Sequence, residues 1–393
     1  MARPGLATRL YQGEANLNIV GRRKLWFTIA AALIAVSIGS FIIRGFELGI
    51  EFAGGTSFTV PVATAEGDLT QEEAEQAVER AVTSVDPEAE VHAAQQVGTG
   101  DSASYKVRAS ALTAAEAEEA KAALVQDLGV SADDVSDNQV SSAWGDAVTE
   151  KAILGLVIFL VLVVAYLIVR FEWRMAVAAL ASLMFDLLMT AGVYSLVGFE
   201  VTPSTVIGFL TILGYSLYDV VVVFDKVQEN TRGITAGSTR TYAEATNLAV
   251  NQTLMRSLNT GLVALLPVGG LLFIGAGFLG AGTLKDLGLV LFVGMGFGVI
   301  SSIVFAAPVL SALKDQEPKI KAHNARVLAR RAQRSGDVAP RAERTRPANA
   351  TESDEVGVLA GSSTPRPGAR PTAKRNTSNR GGGAGNRPSG KRR

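Results

Sequence analysis

The 393-residue chain carries 37 Lys and Arg against 37 Asp and Glu, is 48% hydrophobic and only 19% charged, and contains no cysteine and two histidines, His92 and His323. That inventory excludes disulfide frameworks, thiol catalysis and zinc-thiolate sites, and it argues against His-based triads and so against a conventional hydrolase. The zero net charge averages opposed segments, because residues 47–150 hold 21 acids against four bases while residues from 314 onward hold 19 bases against seven acids.

The apolar residues fall in long blocks, as in a membrane protein. Residues 1–24 form an N-terminal segment ending in Arg22, Arg23 and Lys24. Residues 25–43 follow as the first of six stretches near the length, about 20 apolar residues, that a helix needs to cross hydrocarbon. This stretch exceeds a signal-peptide core and lacks a small-residue cleavage site, so it reads as a retained anchor.

Residues 44–150 read as a small α/β domain. Extended stretches at 57–62, 89–96 and 104–109 alternate with two helices, whose starts are marked by Thr70 with Glu73 and Thr113 with Glu116 at capping-box spacing. The order strand, helix, two strands, helix suits a ferredoxin-like sandwich.

Residues 151–313 hold the other five spans, at 152–169, 175–197, 205–224, 257–279 and 287–313. Basic residues favour the cytoplasmic side, and those at 22–24, Arg170, Arg174, Lys226, Arg232, Arg240 and 319–331 agree with one another. They put both termini in the cytoplasm and the α/β domain outside. Residues 314–393 are a basic tail rich in Arg, Pro, Gly, Ser and Ala beyond about Asn324, expected to be largely disordered. Such a tail hovers near anionic membrane lipids without binding a specific nucleic acid. Contact with ribosomal RNA or an acidic partner is the functional alternative.

An ionisable group inside hydrocarbon asks for an explanation. Asp186 lies eleven residues into the third span, about 16 Å at 1.5 Å per residue and so near mid-bilayer. Asp219 lies in the fourth span, and Arg256 near the start of the fifth at a depth that lets the two approach. One reading is structural: an ion pair or water-facing surface for Asp219 and Arg256, and an interhelical hydrogen bond to Ser or Thr for Asp186. The other is a proton relay, because burial and a nearby guanidinium push an Asp in opposite directions and leave its protonation finely balanced. Residues 277–283 have phosphate-loop spacing, but Thr283 stands where the lysine belongs, so no nucleotide site is expected.

Gly49-Ile50-Glu51-Phe52-Ala53-Gly54-Gly55-Thr56 resembles the GIDFxGGT signature of the SecD and SecF proteins. Gly214-Tyr215-Ser216-Leu217-Tyr218-Asp219, continuing through Val223-Phe224-Asp225-Lys226 to Glu229-Asn230, is similar to the SecF stretch GYSxNDTVVVFDRxxEN. Arg256-Ser257-Leu258-Asn259-Thr260 resembles the RTLNT segment, and Asp186 matches the aspartate of the third-span HD pair, with Phe185 in place of histidine.

The resemblance implies an α-helical fold of the resistance-nodulation-division type in the bacterial cytoplasmic membrane, neither an enzyme nor a binder of cofactor or metal. It implies a complex with SecD and proton-motive-force-driven completion of secretion through SecYEG, with SecA, YajC-type proteins and the translocating preprotein as further partners. The proton coupling of the family carries over to Asp219 and Arg256, and Asp186 is expected to join them in a proton relay. Gly49, Glu51, Gly54 and Gly55 carry over as the motif, and their glycines suit a sharp turn that acts as a hinge. Glu51 and Tyr218 depart from the family's Asp and Asn. The competing functions are half of a proton-driven exporter of small molecules or lipids, and a passive membrane scaffold.

Overall fold

The structure, a computed structural model, describes residues 17–64, 67–278 and 282–336. A 3-10 turn, Val20–Arg22, leads into α1 (Arg23–Ile43). Then come β1 (Glu47–Leu48), the one-turn α2 (Ile50–Ala53), β2 (Gly55–Pro61), the ribbon β3 (Ala63–Thr64) and β4 (Gly67–Asp68), and α3 (Gln71–Val85). β5 (Gln95–Val97), β6 (Ser104–Ala109), α4 (Ala114–Leu128) and β7 (Ser136–Val140) complete the α/β domain.

Its four-stranded sheet is antiparallel in the order β5-β6-β2-β7. With α3 after β2 and α4 after β6, this is the ferredoxin-like arrangement. Alternate residues of the central strands, Phe58 and Val60 on β2 and Val107 on β6, are fully buried against Val78 of α3 and Leu124 of α4. Each such side chain contributes roughly 1.5–3 kcal/mol. The stretch expected at 89–96 is strand only from Gln95, preceded by a single bridge between Val91 and Ala109. β7 was not foreseen, because Ser136-Asp137-Asn138-Gln139 carries no apolar alternation and is a strand only through its pairing with β2.

Both expected capping boxes form. The Thr70 and Thr113 hydroxyls accept from the backbone N–H of Glu73 and Glu116, and each carboxylate accepts in return from the threonine N–H, at 2.8 and 2.7 Å. Those backbone donors, followed by the threonine hydroxyls, hold both carboxyls below the ordinary value of 4.5. A depressed folded pKa stabilises the caps above the ordinary glutamate pKa, and that support is lost as pH falls through the lowered values. NMR titration of the Glu73 and Glu116 side chains is expected to show midpoints below that of an unstructured glutamate. Midpoints at or above it would contradict the paired caps.

Beyond the α/β domain the described residues are mainly helical: α5 (Ser142–Arg170), α6 (Trp173–Val197), α7 (Pro203–Thr231), α8 (Tyr242–Gly269), α9 (Gly282–Ser301), α10 (Ala307–Asp315) and α11 (Pro318–Gly336). The two-residue strand β8 (Glu200–Val201) precedes α7, and two π-helical segments, Gly270–Phe278 and Ser302–Ala306, follow α8 and α9. Among the described residues six continuous helices are long and apolar enough to cross a membrane: Val20–Ile43, Ser142–Arg170, Trp173–Val197, Pro203–Ala236, Tyr242–Phe278 and Leu284–Asp315. The six predicted stretches fall on them. α5 and α8 begin ten and fifteen residues before the apolar stretches expected at 152 and 257, because hydropathy marks only the part of a helix that suits hydrocarbon. Pro267, which donates no backbone hydrogen bond, lies just before the first π segment.

Residues 318–336, read from composition as part of a largely unordered tail, form α11. Ile320, His323 and Val327 recur at helical spacing and are buried, Asn324 donates to Asp315 at 3.0 Å, and Arg331 pairs with Glu244 at 2.6 Å. The tail beyond 336, most of residues 1–24 and part of the phosphate-loop-like segment 277–283 lie outside the described residues.

Candidate functional site

Two buried carboxylates mark the centre of the helical part. Asp186 of α6 is fully buried and accepts a hydrogen bond from the Ser216 hydroxyl of α7, while its Oδ1 has no hydrogen-bond partner. One turn earlier on α6, Ser182 donates to Ser301 at the end of α9 at 3.4 Å. Gly298 of α9 packs closely on α7, since a Cβ there would stand 3.3 Å from the Ser216 Cβ. The interhelical serine bond weighed for Asp186 is therefore present.

Three residues after Ser216, Asp219 is 2% exposed. It accepts from Ser257 of α8 at 2.7 Å and from Ser302, the first residue of the second π segment. The π turn brings the Ser302 hydroxyl onto the carboxylate, and such local widenings of a helix recur at functional sites. Ser302 also lies 3.0 Å from the Val299 carbonyl. Because a hydroxyl rotates and can both donate and accept, Asp219 stays satisfied in either protonation state. Ionised, it accepts a hydrogen bond from each serine hydroxyl. Protonated, it donates to the Ser302 oxygen, whose own proton turns to Val299.

Arg256 makes no hydrogen bond or ion pair within this cluster, although its charge lies near enough to act on Asp219 through space. It lies on the exposed side of α8 and donates to the Tyr218 hydroxyl at 3.4 Å, with no ion pair to Asp219. Tyr218, the neighbour of Asp219 in the chain, takes the hydrogen bond of Arg256, and serines occupy both carboxylate oxygens. Ser216, Ser257, Ser301 and Ser302 were missed by sequence reasoning. The signal was the adjacent pair Ser301-Ser302 inside a long apolar run, and Ser216 and Ser257 inside the quoted motifs.

The Gly49 to Gly55 turn sits where the α/β domain meets the helices. β1 pairs in parallel with β8, Glu47 opposite Glu200 and Leu48 opposite Val201, and the Gly49 N–H donates to the Val201 carbonyl at 2.9 Å. Gly54 and Gly55 take φ of 75° and 132°, which favour glycine. A Cβ on Gly54 would come within 2.9 Å of Ser142 at the start of α5, and one on Gly55 within 2.7 Å of the Ala109 carbonyl of β6. The Glu51 Oε2 is buried without a hydrogen-bond partner.

An ionic cluster overlies this turn. Arg108 of β6 pairs with Glu200 at 2.7 Å and with Glu47 at 2.9 Å, and donates to the Leu48 carbonyl. Lys106 pairs with the other Glu200 oxygen at 3.3 Å. Lys285 donates to the Gln96 carbonyl at 3.0 Å and Thr99 to the Gly277 carbonyl at 3.0 Å. Arg108 and Glu200, 92 residues apart, gave no sequence hint of this contact. Among the described residues no group of three His, Cys, Asp or Glu side chains is placed to hold a metal ion.

Compared with known proteins, a family profile described as protein export membrane protein SecD/SecF, C-terminal, matches residues 120–316, and one described as the SecD/SecF GG motif matches residues 39–66. The chain is similar to protein translocase subunit SecF of Streptomyces coelicolor, 44% identical over 393 residues covering 99% of this chain and 98% of that one. It is 43% identical over 408 residues to the subunit of the same name from Mycobacterium tuberculosis, covering 98% and 88%. A crystal structure of SecDF, a translocon-associated membrane protein from Thermus thermophilus, superposes with a TM-score of 0.63 at 28% identity, covering 79% of this chain. The chain spans 42% of that structure's length.

Proposed function

Because the chain belongs to the SecD/SecF family of protein-export membrane proteins, we propose that it acts as a SecF subunit of a protein translocase, pairing with a SecD-type subunit and using the proton motive force to assist translocation. The observation that carries the reading is Asp219, buried among apolar helices yet held by hydroxyls from two other segments. A proton arriving there reverses the hydrogen bond that links α7 to the π segment after α9. Moving one charge through 100 mV is worth roughly 2.3 kcal/mol. That is comparable with two or three hydrogen bonds of about 1 kcal/mol each. Asp186, one turn away through Ser216 and with one oxygen unpaired, supplies a second station.

Arg256 supports the pairing. An arginine facing lipid costs about 2.5–3.5 kcal/mol or more at the middle of a bilayer. With Tyr218, 49% exposed, and the exposed Thr211 and Asn259, it makes a polar stripe along α7 and α8 that suits a neighbouring membrane subunit with a counter-charge. The SecDF structure, in which this chain matches about two fifths of the length, is consistent with such a neighbour. The basic flanks argue for the α/β domain outside and both termini in the cytoplasm. SecYEG, SecA, YajC-type proteins and the emerging preprotein complete the proposed assembly on the family resemblance, with no chemical step assigned to this subunit.

Co-purification from bacterial membranes tests the pairing. The wild-type chain is expected to retain a SecD-type subunit, and Arg256→Ala to reduce that retention by at least about tenfold, as when one member of a buried charge pair is removed. Recovery of the wild-type chain with an unrelated complex and no SecD-type subunit would refute the reading.

A further inference from the structure

On the face of the helical bundle opposite the α/β domain, a groove of about 600 Å³ runs between the N-terminal segment, α1, α8 and the end of α9. Its walls are apolar: Leu17 and Ile19, Leu254 and Leu258, Ile300 and Val304. Leu258 and Ile300 are 43% and 57% exposed, so the groove opens sideways toward lipid.

The wall is built, not incidental. Asn247 accepts from the backbone N–H of Ile19 and Val20, Asn251 accepts from that of Leu17, and both asparagines donate to the Leu17 carbonyl. Five hydrogen bonds from two side chains of α8 thus hold the segment that lines one side.

At the mouth the groove becomes polar and positive. Arg22 lines it, is exposed and makes no side-chain hydrogen bond or ion pair among the described residues, whereas its neighbour Arg23 is committed to Asp315 at 2.5 Å. Trp26 also lines it, and its indole N–H is buried with no acceptor. The exposed Arg22 guanidinium above an apolar slot, with the Trp26 ring in its wall, matches a lipid phosphate above an acyl chain.

The groove is also turned away from the proposed subunit contact. At 3.6 residues per turn, Leu254 and Leu258 lie roughly 160° around α8 from Arg256. We propose that this groove is a binding site for one anionic phospholipid of the surrounding bilayer, its acyl chain along Leu258 and Ile300 and its phosphate on Arg22. The bound chain packs against Ile303 and Val304 in the π segment whose first residue, Ser302, holds Asp219.

The test is native mass spectrometry of the full chain, released from nanodiscs of phosphatidylglycerol mixed equally with phosphatidylcholine. The wild type is expected to retain one phosphatidylglycerol in preference to phosphatidylcholine, and Arg22→Gln to reduce that preference about fivefold, the weight of one basic residue at an anionic surface. Ile300→Trp, at an exposed position that tolerates bulk without unfolding the bundle, fills the slot and is expected to reduce retention of either lipid. Equal retention of the two lipids by the wild type would overturn the proposal, as would phosphatidylglycerol retention unchanged in Ile300→Trp. If Ile300→Trp instead released a SecD-type subunit while leaving lipid retention intact, the groove would be a protein contact and the proposal would fail.

Discussion

Asp219→Asn is expected to abolish proton-dependent stimulation of export while leaving the helical bundle folded. Asparagine has the same shape, and its carbonyl oxygen still accepts from Ser257 or Ser302, so packing is retained. What disappears is the ability to gain and lose a proton. The neutral side chain freezes the hydroxyls in one orientation, and the reversal at Ser302 toward the Val299 carbonyl no longer occurs. Ser302→Ala separates the carboxylate from its setting: Asp219 keeps one donor, and losing the other costs about 1–3 kcal/mol. Stimulation should therefore fall by roughly ten- to a hundredfold without vanishing. The measurement is preprotein uptake into membrane vesicles holding the full complex, with and without an imposed proton gradient. Gradient-dependent uptake by Asp219→Asn equal to wild type would remove Asp219 from the mechanism.

Glu200→Ala is expected to loosen the α/β domain from the helices. Glu200 and Arg108 are almost wholly buried, with side chains 2% and 7% exposed, and the variant leaves Arg108 with the half-exposed Glu47 as its one charged partner among the described residues, beside the Leu48 carbonyl. Breaking a buried pair typically costs about 3–5 kcal/mol because an uncompensated charge remains. Hydrogen exchange at Gly49, whose N–H bonds to Val201, should then speed up by two orders of magnitude or more. The double variant Arg108→Met with Glu200→Leu removes both charges and is expected to recover much of the protection. Unchanged protection in Glu200→Ala would mean that the β1–β8 pairing and the packed glycines hold the junction unaided.

How much of this could be read beforehand follows from the range of each interaction. The six spans were legible because hydropathy acts residue by residue over about 20 positions. The two helix starts in the α/β domain were legible because Thr70 and Glu73, or Thr113 and Glu116, are three apart. β7 was not, since Asp137 is a strand residue only through Phe58 across the sheet. Asp186 and Asp219 stood out as charges in apolar runs, but their partners were serines, too common in membrane helices to signal anything alone. Depth allows Arg256 to approach Asp219 and leaves open whether they touch. Depth says nothing about the angle around a helix, and that angle puts Arg256 on the exposed face beside Tyr218.

The π turn at Ser302–Ala306 is a helix with a residue held in reserve. If it tightened into regular α-helix, everything beyond it would turn by about 100° and shift about 1.5 Å along the axis. α10 would rotate, carrying Asp315 away from Arg23 and the buried Lys314 away from Glu172. A proton captured at one serine-bound carboxylate would thus become a twist of the far end of the bundle, as a ratchet tooth slipping by one notch turns a shaft.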